Sequence, residues 1–430
     1  MDLTPANKQR LTTAAVWACR IIIGLAFIVS GWAKSIDPWG FLYKIGEYFA
    51  AWGWEVPREM SLTAAVGLSC VEFCTGILIA TGSMKRVAVW VAAAMMAFML
   101  PLTAYIAVAN PVPDCGCFGD FIILSNTATF VKNLFLAAGI VFLILKNTKV
   151  AGLYPAPIQW LEITVALAYP LFLAFVGYQV QPVLDFRPYR AGTLFPTLAA
   201  QIETNLSYGD AVPEYLYEKD GERRTFTLDD IPDSTWTFVE AVEGSFDDEG
   251  DPAAGGFAVY DSDGNDVADG LVGTKGRYLV LVVTDPGNQY LSRAHYINEL
   301  YRYASAHGTE MFALVGASGS AFERWTDLIR PAFPAYSVED TSLKELVRGD
   351  AGVVYVADGV VVWKQTLSSM DDAVPESRGR NNVLDLIEPV DSGRFHLGVT
   401  GFFLLSMLVI YLLGLSPKIL NLFRKSAKNP

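Results

Sequence analysis

Six stretches of the chain stay apolar for about 20 residues, the length a helix needs to cross the hydrocarbon core of a bilayer. They fall at about 12–32, 62–82, 87–108, 128–146, 159–180 and 396–415. Pro101 sits inside the third, where it removes a backbone donor and kinks the helix. Between the fifth and sixth runs the pattern changes. Short apolar runs alternate with polar turns over 181–395, which reads as a soluble α/β segment. The pattern predicts a multi-pass α-helical membrane bundle of about six transmembrane helices, carrying an α/β domain before its last helix. The expected divisions are a five-helix bundle at 1–180, the soluble domain at 181–395, a C-terminal helix at 396–415 and a basic tail at 416–430. The first run carries Arg20 and no small-residue cleavage pattern, so it is expected to be retained.

Within the soluble segment, FAVYDSDGNDV (257–267) predicts a hairpin turning at Asp263-Gly264. Its aspartates do not continue into a calcium-loop pattern. From 277 the order is βαβαββ. RYLVLVVTD (277–285) is a buried strand, 289–308 an amphipathic helix ending at a glycine, and EMFALVGAS (310–318) the next strand. A short helix follows at 320–332, and GVVYVADGVVVWKQT (352–366) is a hairpin turning at Asp358-Gly359. FDDEGDPAAGG (246–256) reads as a solvated acidic loop.

Charge gives the bundle its expected orientation. Lys8 and Arg10, Lys85 and Arg86, Lys146 and Lys149, and Lys418, Arg424, Lys425 and Lys428 all fall on one side of the six runs, which makes that side cytoplasmic. The loop 109–127, free of Lys and Arg, and the domain 181–395 then face the other side. The chain is 52% hydrophobic with a net charge of −13, which excludes a soluble protein and a nucleic-acid binder. The expected setting is a bacterial inner membrane, with both termini cytoplasmic and the soluble domain periplasmic.

The candidate chemistry lies in that loop, NPVPDCGCFGDFI (110–122). Cys115 and Cys117 are separated by Gly116 alone. An oxidising compartment favours disulfide chemistry, and a C-x-C disulfide closes a very small, strained and readily reduced ring. Cys115 and Cys117 are therefore the candidate catalytic residues, with an inert structural pair as the alternative. A metal site is disfavoured, because His295, His307 and His396 show no ligand spacing near this loop. Charges inside membrane spans usually pair across the bundle interior. Arg20 in the first run and Glu72 in the second are the expected pair, and Lys34 and Lys132 could add to a polar interior. Cys70 and Cys74 share one helical face and are candidate secondary thiols, although packing is their plainer role.

RIIIGLAFIVSGWAKSIDPWGFLYKIGEYFAAWG (20–53) and DCGCFGD with LSNTATFVKN (114–133) resemble the DoxX/MauE family of membrane proteins. DFRPYRAGT (185–193) resembles the junction in Bacteroidetes-type members that carry an added soluble domain. The resemblance implies a helical bundle tied to redox maturation outside the cytoplasm. MauE-type proteins are linked to maturation of methylamine dehydrogenase beside a thioredoxin-like partner, and DoxX-type proteins to quinone-dependent sulfur oxidation. A quinone is thus a candidate cofactor, and a periplasmic redox or client protein the expected partner. Residues 257–370 resemble a thioredoxin-like domain, but TDPGNQY stands where the C-x-x-C belongs and Ala351 where a cis-proline opens the hairpin. There is no cysteine after Cys117, so this domain is expected to dock a partner rather than exchange thiols. Three functions follow: a component of an extracytoplasmic thiol or electron-transfer pathway, a non-enzymatic membrane scaffold or assembly factor, and a small-solute carrier.

Overall fold

The computed structural model describes residues 5–54, 56–112, 114–182, 184–200, 214–219, 222–227, 236–242, 257–287, 293–370, 382–385, 387 and 392–426. The expected acidic loop at 246–256 lies outside the described residues. The chain divides into two compact units, Met1–Arg187 with Glu388–Pro430, and Pro188–Ile387.

The first unit is helical. Its helices are α1 (Pro5–Ile36), α2 (Pro38–Ala51), α3 (Arg58–Thr81), α4 (Lys85–Ala109), α5 (Asn126–Lys146), α6 (Gln159–Gln179) and a long helix at Ser392–Ser426. Among the described residues, six spans are long and apolar enough to cross a membrane: Asn7–Ile36, Arg58–Thr81, Lys85–Ala109, Asn126–Lys149, Ala156–Gln179 and Gly393–Leu415. Each expected apolar run falls on one of them. The helix that hydropathy did not single out is α2. It is too short to span, starts at an Asp37 cap that accepts from the Gly40 amide, and ends in an aromatic cluster of half-buried Phe49 with exposed Trp52 and Trp54.

Helices α1 and α3 form the tightest pair, because glycines let their backbones touch. A Cβ on Gly31 would lie 2.5 Å from the Phe73 amide nitrogen and 2.7 Å from the Ser69 carbonyl oxygen. One on Gly76 would lie 2.7 Å from the Ile28 amide nitrogen, and one on Gly24 2.9 Å from the Gly76 carbonyl oxygen. Small residues at such crossings are how membrane helices gain close packing where no hydrophobic effect drives association. These contacts fix an antiparallel register. Arg20 falls level with Gly82 at one end of α3, and Lys34 level with Glu72 toward the other.

The second unit holds a three-stranded antiparallel sheet and a six-stranded mixed sheet. Strands β1 (Glu214–Lys219), β2 (Glu222–Thr227) and β3 (Thr237–Val242) make the first, in the order β2-β1-β3. The second runs β4-β7-β6-β5-β8-β9, from β4 (Val259–Tyr260), β5 (Arg277–Val283), β6 (Glu310–Val315), β7 (Ala335–Val338), β8 (Ala351–Ala357) and β9 (Val360–Thr366). Strands β5, β6 and β7 are parallel, whereas β8 pairs antiparallel with both β5 and β9. The β8–β9 turn places Asp358 at φ 50° and Gly359 at φ 80°, the left-handed pair that a two-residue hairpin needs. Helices α7 (Ala294–Ala306) and α8 (Gly319–Ile329) pack Leu300, Trp325 and Ile329 on one face, against Leu281, Ala313 and Val353. Val280, Leu314 and Val354 alternate onto the other face, against Phe195, Leu343 and Leu346. A sheet covered on both faces reads as nearly continuous apolar strands, which β5 and β8 are.

Candidate functional site

The segment 110–125 joins α4 to α5 and is folded into the end of the helical unit. Asp114 shapes it first. One carboxylate oxygen accepts from the Gly116 amide at 2.6 Å, and the other receives the Lys44 ammonium of α2 at 3.1 Å. Gly116 takes φ +65°, and a Cβ there would lie 2.6 Å from the Lys44 side chain, so glycine is favoured for conformation and space alike. The Tyr48 hydroxyl donates to the Cys115 carbonyl at 2.9 Å, and the Ser30 hydroxyl of α1 donates to the Cys117 carbonyl. α2 thus covers the loop, and α1 holds it from beneath.

The result is two free thiols in contact. The sulfur atoms of Cys115 and Cys117 lie 2.8 Å apart, at 5% and 9% exposure. One thiol donates to the other, so the two sulfurs hold their protons unequally. The hydrogen bond from Cys115, helped by the Lys132 and Lys34 ammonium groups, pulls Cys117 down to about 7 against the effect of burial. The same contact, together with burial, pushes Cys115 up. The thiolate is the attacking form of a cysteine, and of the two Cys117 is the more readily ionised.

Beneath Cys117 lies a cavity of about 40 Å³ lined by Ser30, Glu72, Lys132, Asn133 and three methionines of α4. Lys34 is 6% exposed and donates to Glu72 at 2.7 Å and to Ser30 at 3.1 Å. Lys132 places its ammonium 4.3 Å from the centre of the Phe118 ring. Asn133 donates to the Thr103 hydroxyl at 3.3 Å.

The expected Arg20–Glu72 pair is corrected by this geometry. The α1–α3 register puts Arg20 beside Gly82, roughly 15 Å along the helix from Glu72 at 1.5 Å per residue. Glu72 pairs with Lys34 instead. Arg20, fully buried, donates to the Asn147 side chain at 2.8 Å and to the carbonyls of Ala151 at 2.8 Å, Val150 at 2.9 Å and Asn147 at 3.2 Å. Cys70 is buried, Cys74 is partly buried against apolar side chains, and neither lines the cavity below Cys117. Sequence reasoning missed Tyr48 and Lys44, whose roles depend on α2 folding back over the loop, and Ser30 of α1, whose contact depends on where the loop settles. It also missed Glu162 of α6. This side chain is fully buried, with Oε1 at 2.6 Å from the Thr81 hydroxyl and Oε2 without a hydrogen-bond partner among the described residues. Its isolated carboxylate gave no pairwise signal. No group of three or more His, Cys, Asp or Glu side chains that could hold a metal ion occurs among the described residues.

Comparison with known families gives this end of the chain a relative. Residues 12–146 match the family model of methylamine utilisation protein MauE. The MauE-like segment runs from α1 to the end of α5, so it contains both loop cysteines, Lys34, Glu72 and Lys132. Residues 212–244 match a domain of unknown function, DUF8463, which falls on β1, β2 and β3. None of the curated proteins matches the chain.

Proposed function

We propose that this membrane protein is a component of an extracytoplasmic redox-maturation pathway, and that Cys115 and Cys117 exchange two electrons with a thiol or disulfide on a periplasmic partner protein. The observation that carries the reading is the contact of two free thiols, one of which, Cys117, lines a cavity together with Lys132. In the oxidising direction, the Cys117 thiolate attacks a partner disulfide and displaces one partner thiolate. Cys115 then gives up its proton and attacks Cys117 Sγ, closing the Cys115–Cys117 bond and releasing the second partner sulfur. The reverse sequence reduces the loop pair and oxidises the partner. Cover by Tyr48 and Lys44 means that α2 must shift before a partner sulfur reaches Cys117.

The MauE match over 12–146 supports a place in a pathway related to methylamine utilisation. The sequence resemblance extends the proposal to DoxX-type proteins and to a quinone as final acceptor. The Lys and Arg distribution supports cytoplasmic termini and a periplasmic 181–395 domain in a bacterial inner membrane. Strand order β6-β5-β8-β9, with a parallel pair joined to an antiparallel hairpin, supports a thioredoxin-like 257–370 region. With no cysteine after Cys117 it would hold a partner rather than react with it.

A membrane scaffold is the second reading, and the burial of both sulfurs favours it. Trapping separates the two. In Cys115→Ser the mixed disulfide at Cys117 cannot be resolved, so a partner should accumulate as a reducible adduct, and Cys117→Ser should give at least tenfold less. Equal absence of adduct in both variants, with partners still copurifying, would leave the scaffold.

A further inference from the structure

The cavity below Cys117 contains an imbalance of charge. One ammonium group, Lys132, and one carboxylate, Glu72, line it with Cys117, and a second ammonium, Lys34, binds the lining residues Glu72 and Ser30. Glu72 is engaged by Lys34 at 2.7 Å. Among the described residues Lys132 makes no ion pair, and its ammonium rests over an aromatic ring. An unpaired charge inside a helical bundle is expensive, and such charges are normally matched. The other charged and titratable groups near the loop are already engaged. Lys44 of α2 is held by Asp114 at 3.1 Å and Glu47 at 2.8 Å, and the Tyr48 hydroxyl by the Cys115 carbonyl at 2.9 Å. Asp120 of the loop has a partner of its own. α4 faces the cavity with methionines.

We infer that Lys132 is the counter-ion of a Cys117 thiolate, a positioning residue that selects which cysteine attacks and fixes the proton count of the redox step. This rests on the redox reading above and deepens it. The reduced site then holds one proton between its two sulfurs, on Cys115, and the charges of Lys34, Glu72, Lys132 and Cys117 sum to zero. Oxidation forms the Sγ–Sγ bond, breaks the Cys115 S–H bond, releases one proton and passes two electrons to the partner disulfide. That disulfide takes the electrons and the proton and leaves as one thiol and one thiolate. The oxidised site keeps one positive charge beside Cys117, which favours return of the thiolate and holds the potential high. A neutral pair would release two protons and leave the charge of its surroundings unchanged.

The test uses the full chain in detergent with Cys19→Ala, Cys70→Ala and Cys74→Ala, so that the loop pair alone titrates. Ultraviolet thiolate absorbance is followed against pH, and the midpoint potential against a glutathione buffer is followed over the same range. One thiolate should appear with a midpoint near 7. Above that pH the potential should fall by about 30 mV per pH unit, the tenfold-per-proton value of a two-electron couple. Lys132→Met should raise the midpoint by a pH unit or more and steepen the slope to about 59 mV between about pH 7 and 8, as two protons are then released. Lys132→Arg should restore both. Glu72→Gln removes the nearby negative charge and should move the midpoint down, and if Lys132→Met does not fold, Lys132→Gln, which keeps a polar head beside Phe118, is read in the same way. An unchanged midpoint and slope in Lys132→Met, or an ordinary thiol midpoint in the unsubstituted pair, would overturn the assignment. A pair that titrates as described but stays in one redox state in cells would support the counter-ion and overturn only the redox function.

Discussion

Arg20 and Lys34 lie on the same helix, both almost wholly buried, and they solve the problem of a membrane-embedded cation in opposite ways. Arg20 donates four hydrogen bonds to neutral groups, one amide oxygen and three backbone carbonyls from the segment after α5. Its planar fork ties that segment to α1, and no titratable group shares the bond set. Lys34 instead joins Glu72 and, through Ser30, the backbone of Cys117. A guanidinium that stays charged serves as a rivet, whereas an ammonium with a carboxylate and two thiols nearby can follow a change in charge. Under the proposed function, one end of the helix holds the bundle together and the other serves the thiol pair.

The largest effect that could break this contrast is expected at Arg20. Arg20→Met leaves four acceptors without their donor and should cost about 3–5 kcal/mol, read as loss of folded protein in detergent melts. Arg20→Lys should recover only part, since a point charge cannot span the same carbonyls. If Arg20→Met instead left stability intact and abolished thiol chemistry, the division of labour would be wrong. Next is Gly31→Val, which forces α1 from the Phe73 backbone and should cost about 1–3 kcal/mol. It should also separate Lys34 from Glu72, so its thiol titration should change with its stability.

Acidification should act on the thiol end alone. Cys117 is held below its ordinary range in the folded protein, so between about 7 and that range the unfolded chain binds the extra proton. The stabilisation is therefore complete at high pH and lost as pH falls through about 7. Reduced protein should be less stable at pH 6 than at pH 8, and Cys117→Ser should flatten the difference. The smallest effect is expected at Gly116→Ala, roughly 1 kcal/mol from the positive φ and the crowding of Lys44. It should show mainly as faster alkylation of the loop cysteines.

Much of the architecture was legible in the sequence because it depends on local patterning. Six apolar runs, the turn at Asp358-Gly359 and the continuous apolar strands at 277–283 and 351–357 need no long-range information. The Cys115–Gly116–Cys117 spacing likewise identified the candidate chemistry. The pairing of charges was not legible. Arg20 and Glu72 looked level by counting from the run boundaries, but the register is set by Gly24, Gly31 and Gly76 meeting the opposite backbone. Helix α2 was missed for a related reason, since it is short and aromatic and its place over the cysteines follows from Lys44 and Tyr48 reaching the 114–117 backbone and Asp114.

The central claim is that the Cys115–Cys117 pair is a working redox couple. The direct measurement is its redox state in living cells, by acid quenching and mass-tag alkylation, in a chain whose other three cysteines are alanine. The account predicts that the pair moves between dithiol and disulfide as cells pass from reducing to oxidising growth, and that the two cysteines move together. A pair fixed in one state under every condition would contradict it and leave the loop as a structural element of a membrane scaffold.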